Sequence, residues 1–93
     1  MTAPAVVITS PANRSSVARG SVAIQVSVIR TVAVYKVAFY IDGRLRYTDY
    51  LSPFAFTWNT RALAVGGSHT LKAIAYNAVG LTLGQATATV TVK

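Results

Sequence analysis

Side chains able to do chemistry are few in this chain. Asp42 and Asp49, the single histidine His69, and no cysteine or glutamate make up its whole stock of acids, bases and strong metal ligands. Two carboxylates can divide acid and base roles in a hydrolase. Asp42, however, precedes Gly43, and Asp-Gly supplies the positive φ angles of a two-residue hairpin turn. Asp49 falls near the end of the following strand, where an arginine partner is expected. His69 has no second histidine or cysteine with which to share a metal, and reads as a structural residue at the start of a strand. Serines occur without a Gly-x-Ser-x-Gly elbow, and the glycines belong to turns rather than to a phosphate cradle. The expectation is a protein that is not an enzyme, with no catalytic residue, cofactor or metal.

The elements that position these residues follow from a period of two. Val37, Phe39 and Ile41 alternate with Lys36, Ala38 and Tyr40, which puts one set on a buried sheet face. Asp42-Gly43 turns the chain, residues 45–50 return as the partner strand, and Phe54, Phe56 and Trp58 alternate again after Pro53. Residues 5–9 form a first strand, stopped by Ser10-Pro11. Residues 22–28 form another, with Val22, Ile24, Val26 and Val28 inward. Residues 29–33 connect it, in unusually apolar fashion, to the central strand. Residues 68–76 turn Leu71, Ala73 and Ala75 inward, and residues 85–93 turn Ala86, Ala88, Val90 and Val92 inward. These small alanines leave room for Phe39, Phe56 and Trp58. Nothing in the last strand blunts a free edge. About seven short strands, rich in β-branched residues and punctuated by turns, argue an all-β antiparallel sandwich of two sheets.

The 93 residues are enough for one domain with one core, residues 1–93, held without disulfides. No run approaches the apolar length of a membrane span. The N-terminus has no basic segment and too short an apolar run for a signal peptide. The chain therefore reads either as a complete protein made without a leader or as a segment of a longer secreted one. Charged residues are only 12% and apolar residues 53%. So low a charge fraction fits either a small all-β domain whose threonines and serines wet its surface or a surface normally covered by a partner.

Four stretches then resemble the bacterial immunoglobulin-like domain family: Ile8-Thr9-Ser10-Pro11-Ala12-Asn13, Val37-Ala38-Phe39-Tyr40-Ile41-Asp42-Gly43, Ser52-Pro53-Phe54-Ala55-Phe56-Thr57-Trp58 and Gly67-Ser68-His69-Thr70-Leu71-Lys72-Ala73. The resemblance covers nearly the whole chain in order. It implies an immunoglobulin-like sandwich and a non-catalytic module, of the kind found in secreted glycoside hydrolases, surface adhesins and virion proteins. Where the family often carries aspartates, this chain has Ile29-Arg30-Thr31-Val32 and Asn77-Ala78-Val79-Gly80-Leu81, so no calcium site is implied.

Binding is the better question. In such a sandwich the strands holding Tyr40 and Tyr76 are neighbours. Their outward residues would be Val34, Lys36, Ala38 and Tyr40 on one, and Thr70, Lys72, Ile74 and Tyr76 on the other. Lys36, Tyr40, Lys72, Ile74 and Tyr76 thus form the expected partner face, with Arg44 and Arg46 on the hairpin beside it. Six arginines and three lysines against two aspartates give a net charge of +7 and a field that attracts anions. Arg14, Arg19, Arg30 and Arg61 are scattered over turns with no recognition helix or RNA-binding motif. Salt-dependent, nonspecific attraction to anionic polymers is therefore expected. The expected role is attachment within a larger assembly at a virion or cell surface, such as capsid decoration. The alternative is a carbohydrate-binding or spacer module of a secreted polysaccharide hydrolase or adhesin. Partner classes are a protein assembly, a polysaccharide, or a second copy of the chain.

Overall fold

The computed structural model describes residues 6–28, 34–51 and 53–93. The expected apolar connection at 29–33, with Arg30, lies outside them, as do residue 5 and Ser52. The described residues form eight strands in two sheets. They are β1 (Val6–Ser10), β2 (Ser16–Val17), β3 (Ser21–Val28), β4 (Lys36–Ile41), β5 (Arg44–Asp49), β6 (Phe54–Asn59), β7 (Ser68–Tyr76) and β8 (Thr82–Val92). One sheet runs β1-β3-β6 and the other β2-β8-β7-β4-β5. No described residue is helical, as the absence of any helical period leads one to expect.

The core is built as the alternation requires. Ile24, Val26 and Val28 of β3 and Trp58 of β6 face Val37, Phe39, Leu71, Ala73, Ala75, Ala88, Val90 and Val92 of the other sheet. Trp58 is 1% exposed, and Ala73 and Ala75 are wholly covered. Phe56 is less deeply set than Trp58. It stacks on Tyr47 at 5.6 Å and lies 6.0 Å from Phe39, closing the side of the sandwich between β5 and β6.

Three expectations need correction. The last strand begins three residues early, at Thr82, and is not a bare edge. Asn13 to Val17 run along its far half: β2 pairs in parallel with Thr91 and Val92, and the Arg14 N–H donates to the Thr89 carbonyl. Asn13 Oδ1 completes the cover by accepting from the Thr89 N–H at 2.8 Å. Two residues are too few to show a period, which is why β2 has no signature in the sequence. Asp49 has no arginine partner among the described residues. Its carboxylate accepts from the N–H groups of Leu51 and Ala55, both at 3.1 Å, and so fixes the connection from β5 to β6. Ala38 points outward as expected yet is only 4% exposed, flanked in the ladder by Ile74 and Thr48.

The module is long and thin, 42 × 20 × 19 Å. Val6 pairs with Val28 at one pole, whereas Val92 pairs with Val17 and accepts the Gly66 N–H at the other. The poles differ in character. Exposed Tyr35, Tyr50, Leu51, Val79 and Leu81 gather where β5 and β7 end, and Tyr35 meets Tyr50 edge-on at 5.5 Å. The turns at the opposite pole carry the basic residues.

Candidate functional site

Seven residues were expected to form one binding surface, and the fold separates them into two groups. The first is the outer face of β4 and β7. Register pairs Lys36 with Tyr76, Ala38 with Ile74, and Tyr40 with Lys72, so the five expected face residues are adjacent in two rows. All five are half-buried by their neighbours. The Lys36 ammonium sits 5.4 Å from the Tyr76 ring centroid, a cation–π distance. Burial first, and then the Tyr40 hydroxyl, push the Tyr76 phenol above its ordinary pKa. The face is an amphipathic strip whose polar tips already engage one another.

Arg44 and Arg46 are not on that strip, and a β-bulge is the reason. Phe39 pairs with Tyr47 and Tyr40 with Leu45, so Arg46 is an extra residue without a partner. The insertion reverses the alternation of β5. Without it Arg46 would stand outward beside Tyr40 and Leu45 would turn inward. With it Leu45 is exposed, and both arginines line a cleft on the inner side of the sheet.

This cleft, of about 430 Å³, opens at the pole that holds the Asp42-Gly43 turn. Ile41, Trp58 and Leu63 provide its apolar lining, and Arg44, Arg46, Asp42 and His69 its polar lining. Asp42 takes φ of 52° and Gly43 of 83°, the turn conformation that Asp-Gly was expected to adopt. The turn also reaches across to β7. Asp42 Oδ2 lies 2.7 Å from His69 Nδ1, Oδ1 accepts the Thr70 N–H at 2.9 Å, and the Asp42 N–H donates to the Thr70 carbonyl. Because an ionised carboxylate can only accept, Nδ1 carries the proton in this contact. Burial alone would raise the Asp42 pKa, but the His69 hydrogen bond, the Thr70 N–H and the His69 charge together hold it below the ordinary carboxylate value. The His69 ring meets Trp58 edge-on at 5.6 Å.

His69 was read as a structural residue and Asp42 as a turn residue. Their union was not foreseen, because 27 residues separate them and only the register of β4 on β7 brings them together. The two groups do not form a nucleophile–base constellation, since the carboxylate orients the imidazole but no serine, threonine or cysteine lines the cleft. Among the described residues no three histidine, cysteine or acidic side chains converge as a metal site.

The turns reveal a further grouping. Arg14 lies level with the Asp42 turn through the Thr89 and Thr70 rungs, Arg19 sits beside the Gly20–Thr60 contact, and Arg61 follows Thr60. Lys93 is tied to Val17 at the same end. With Arg44 and Arg46, six of the eight described lysines and arginines collect at one pole, although the sequence disperses them from position 14 to 93.

Comparison with known proteins agrees with this architecture. The fibronectin(III)-like modules of Clostridium thermocellum CbhA share 25% identity with a TM-score of 0.77, over 95% of this chain and 96% of that one. An engineered protein shares 26% identity with a TM-score of 0.69, over 97% of this chain and 20% of that one. The endo-β-1,4-mannanase of Thermotoga petrophila shares 11% identity with a TM-score of 0.75, again over 97% of this chain and 20% of that one, a likeness of fold alone. The chain thus spans about a fifth of the latter two. No curated protein matches it in sequence. The family model described as the bacterial Ig domain matches residues 4–73, covering every strand from β1 to β6 and β7 as far as Ala73. The chain therefore belongs to the bacterial Ig domain family.

Proposed function

We propose that this domain is a non-catalytic module that spaces and attaches the parts of a larger secreted or surface assembly. The observation that carries the reading is the polarity of the rod: the first strand starts at one pole and the last ends at the other, along an axis of 42 Å. Neighbours joined to such a module are held apart in line rather than side by side. The likeness in length and fold to the CbhA modules supports a place within a series of domains. The mannanase likeness makes a polysaccharide hydrolase one such setting. The test is to insert the chain between two unrelated folded reporters and measure small-angle scattering. The maximum dimension should grow by close to the 42 Å long axis. Growth nearer the 20 Å width would overturn the reading.

A decoration protein on a virion surface is the second reading. It is favoured by the half-buried strip of Lys36, Tyr40, Lys72, Ile74 and Tyr76, a docking area that a simple spacer does not need. Loss of particle occupancy on substituting Tyr40 and Tyr76 is its test.

A further inference from the structure

We propose that the cleft between β5 and the β6–β7 connection binds the carboxylate of an acidic polysaccharide, a uronate-bearing sugar ring. The site lies on a different surface from the β4–β7 strip and stands whether or not the module acts as a spacer. Its first support is the bulge at Arg46, which turns two guanidinium side chains from the outer, tyrosine-bearing side of the strand into one cleft. Among the described residues the single ion pair is His69–Asp42, so neither arginine is neutralised by a carboxylate. A guanidinium fork matches a carboxylate in two parallel hydrogen bonds, a geometry that lysine cannot supply.

The one negative group in the cleft does not oppose this. Asp42 is held by the His69 imidazole and the Thr70 N–H, so its charge is already met by donors. Beside the arginines, half-buried Leu63 offers the apolar contact that the C–H face of a sugar ring needs. The volume of about 430 Å³ lies within the usual range for small-ligand sites. Arg14, Arg19, Arg61 and Lys93 at the same pole add a field that draws in a polyanion. Nucleic acid fits less well. Single strands are held by stacking on exposed rings, but Trp58 is only 1% exposed, and the half-buried His69 ring is set edge-on to it and held by Asp42.

The experiment is calorimetric titration of the whole chain with oligogalacturonate. A neutral mannan oligosaccharide, a sulfated oligosaccharide and a single-stranded oligonucleotide serve as comparison ligands. Oligogalacturonate should bind and the neutral glycan should not. Arg44→Ala/Arg46→Ala should weaken binding at least about tenfold, and Arg44→Lys/Arg46→Lys should restore only part of it. Both arginines are exposed, and an unchanged melt certifies the fold of each variant. Arg14→Ala/Arg19→Ala removes the same charge from the same pole outside the cleft, and should cost less than about threefold. Equal losses in the two double variants would reduce the cleft to a diffuse field and overturn the proposal. So would the absence of uronate binding, or a preference for the sulfated ligand. Tighter binding of the oligonucleotide, lost with Arg44 and Arg46, would assign the cleft to nucleic acid instead.

Discussion

His69 Nδ1 lies 2.7 Å from Asp42 Oδ2, joining the turn at the tip of the β4–β5 hairpin to the start of β7. The contact lies beside Trp58 and is completed by the Thr70 N–H, so a turn residue also acts as a clasp between strands. Asp42→Ala should destabilise the domain by about 1–2 kcal/mol, through lost charge-assisted hydrogen bonds and a side chain ill suited to positive φ. Asp42→Asn, which tolerates that φ and keeps one acceptor, should cost less. Urea denaturation of the two variants checks the order, and an unchanged stability in Asp42→Ala would mean that the clasp contributes nothing.

Acid should weaken the same clasp. The folded-state pKa of Asp42 is depressed, so its contribution is complete above the unfolded carboxylate value, near about 4, and disappears as pH falls through the lower folded value. Because Asp42 is exposed, solvent screening keeps the effect modest. Thermal melts from neutral pH down to about pH 3 should show a steeper decline for the native chain than for Asp42→Asn. Parallel declines would place the acid sensitivity elsewhere.

Trp58 is the largest fully buried side chain. Trp58→Ala should cost about 3–5 kcal/mol, a large share of the stability of a domain this size. A loss below about 1 kcal/mol in chemical denaturation would contradict its role as the core anchor.

Among the described residues Thr60 is the one buried polar residue, at 0% exposure. Its hydroxyl accepts the Gly20 N–H at 2.8 Å and faces the Ala18 carbonyl at 3.0 Å, pinning the entry to β3 against the exit from β6. Thr60→Val keeps the shape but strands both backbone groups, and should cost about 1–3 kcal/mol. A melt equal to that of the native chain would show that water replaces the hydroxyl.

Tyr40→Ala or Tyr76→Ala should weaken attachment to a protein partner by about 2 kcal/mol or more, with stability changed by about 1 kcal/mol. Particle occupancy or pull-down beside a thermal melt separates the two effects. Unchanged attachment would move the contact away from the β4–β7 strip.

How far the sequence reveals this molecule depends on the range of each interaction. The hairpin at Asp42-Gly43 and the inward run of Val37, Phe39 and Ile41 are local, and the residue pattern alone announces them. The bulge at Arg46 is not local, since nothing in Arg-Leu-Arg-Tyr says which residue the neighbouring strand will skip. That single slip moves Arg44 and Arg46 from the tyrosine strip to the cleft. His69 gave no signal of its partner because strand register, rather than spacing, makes the pair. The arginines looked dispersed because the chain returns to the same pole on every second turn. Topology gathers what the linear order separates.

The parallel pairing of β2 with the end of β8 also has a mechanical meaning. Tension applied through the two chain ends would pull Val6 toward one pole and Val92 toward the other. The bonds from Thr91 and Lys93 to Ser15 and Val17 lie across that line of force, so they are sheared together rather than peeled one at a time. β1 on β3 is loaded in the same sense. Resistance to stretching is set by the rate of crossing the unfolding barrier. A module tethered at both ends in a flow or on a moving surface would thus owe its endurance to a two-residue strand.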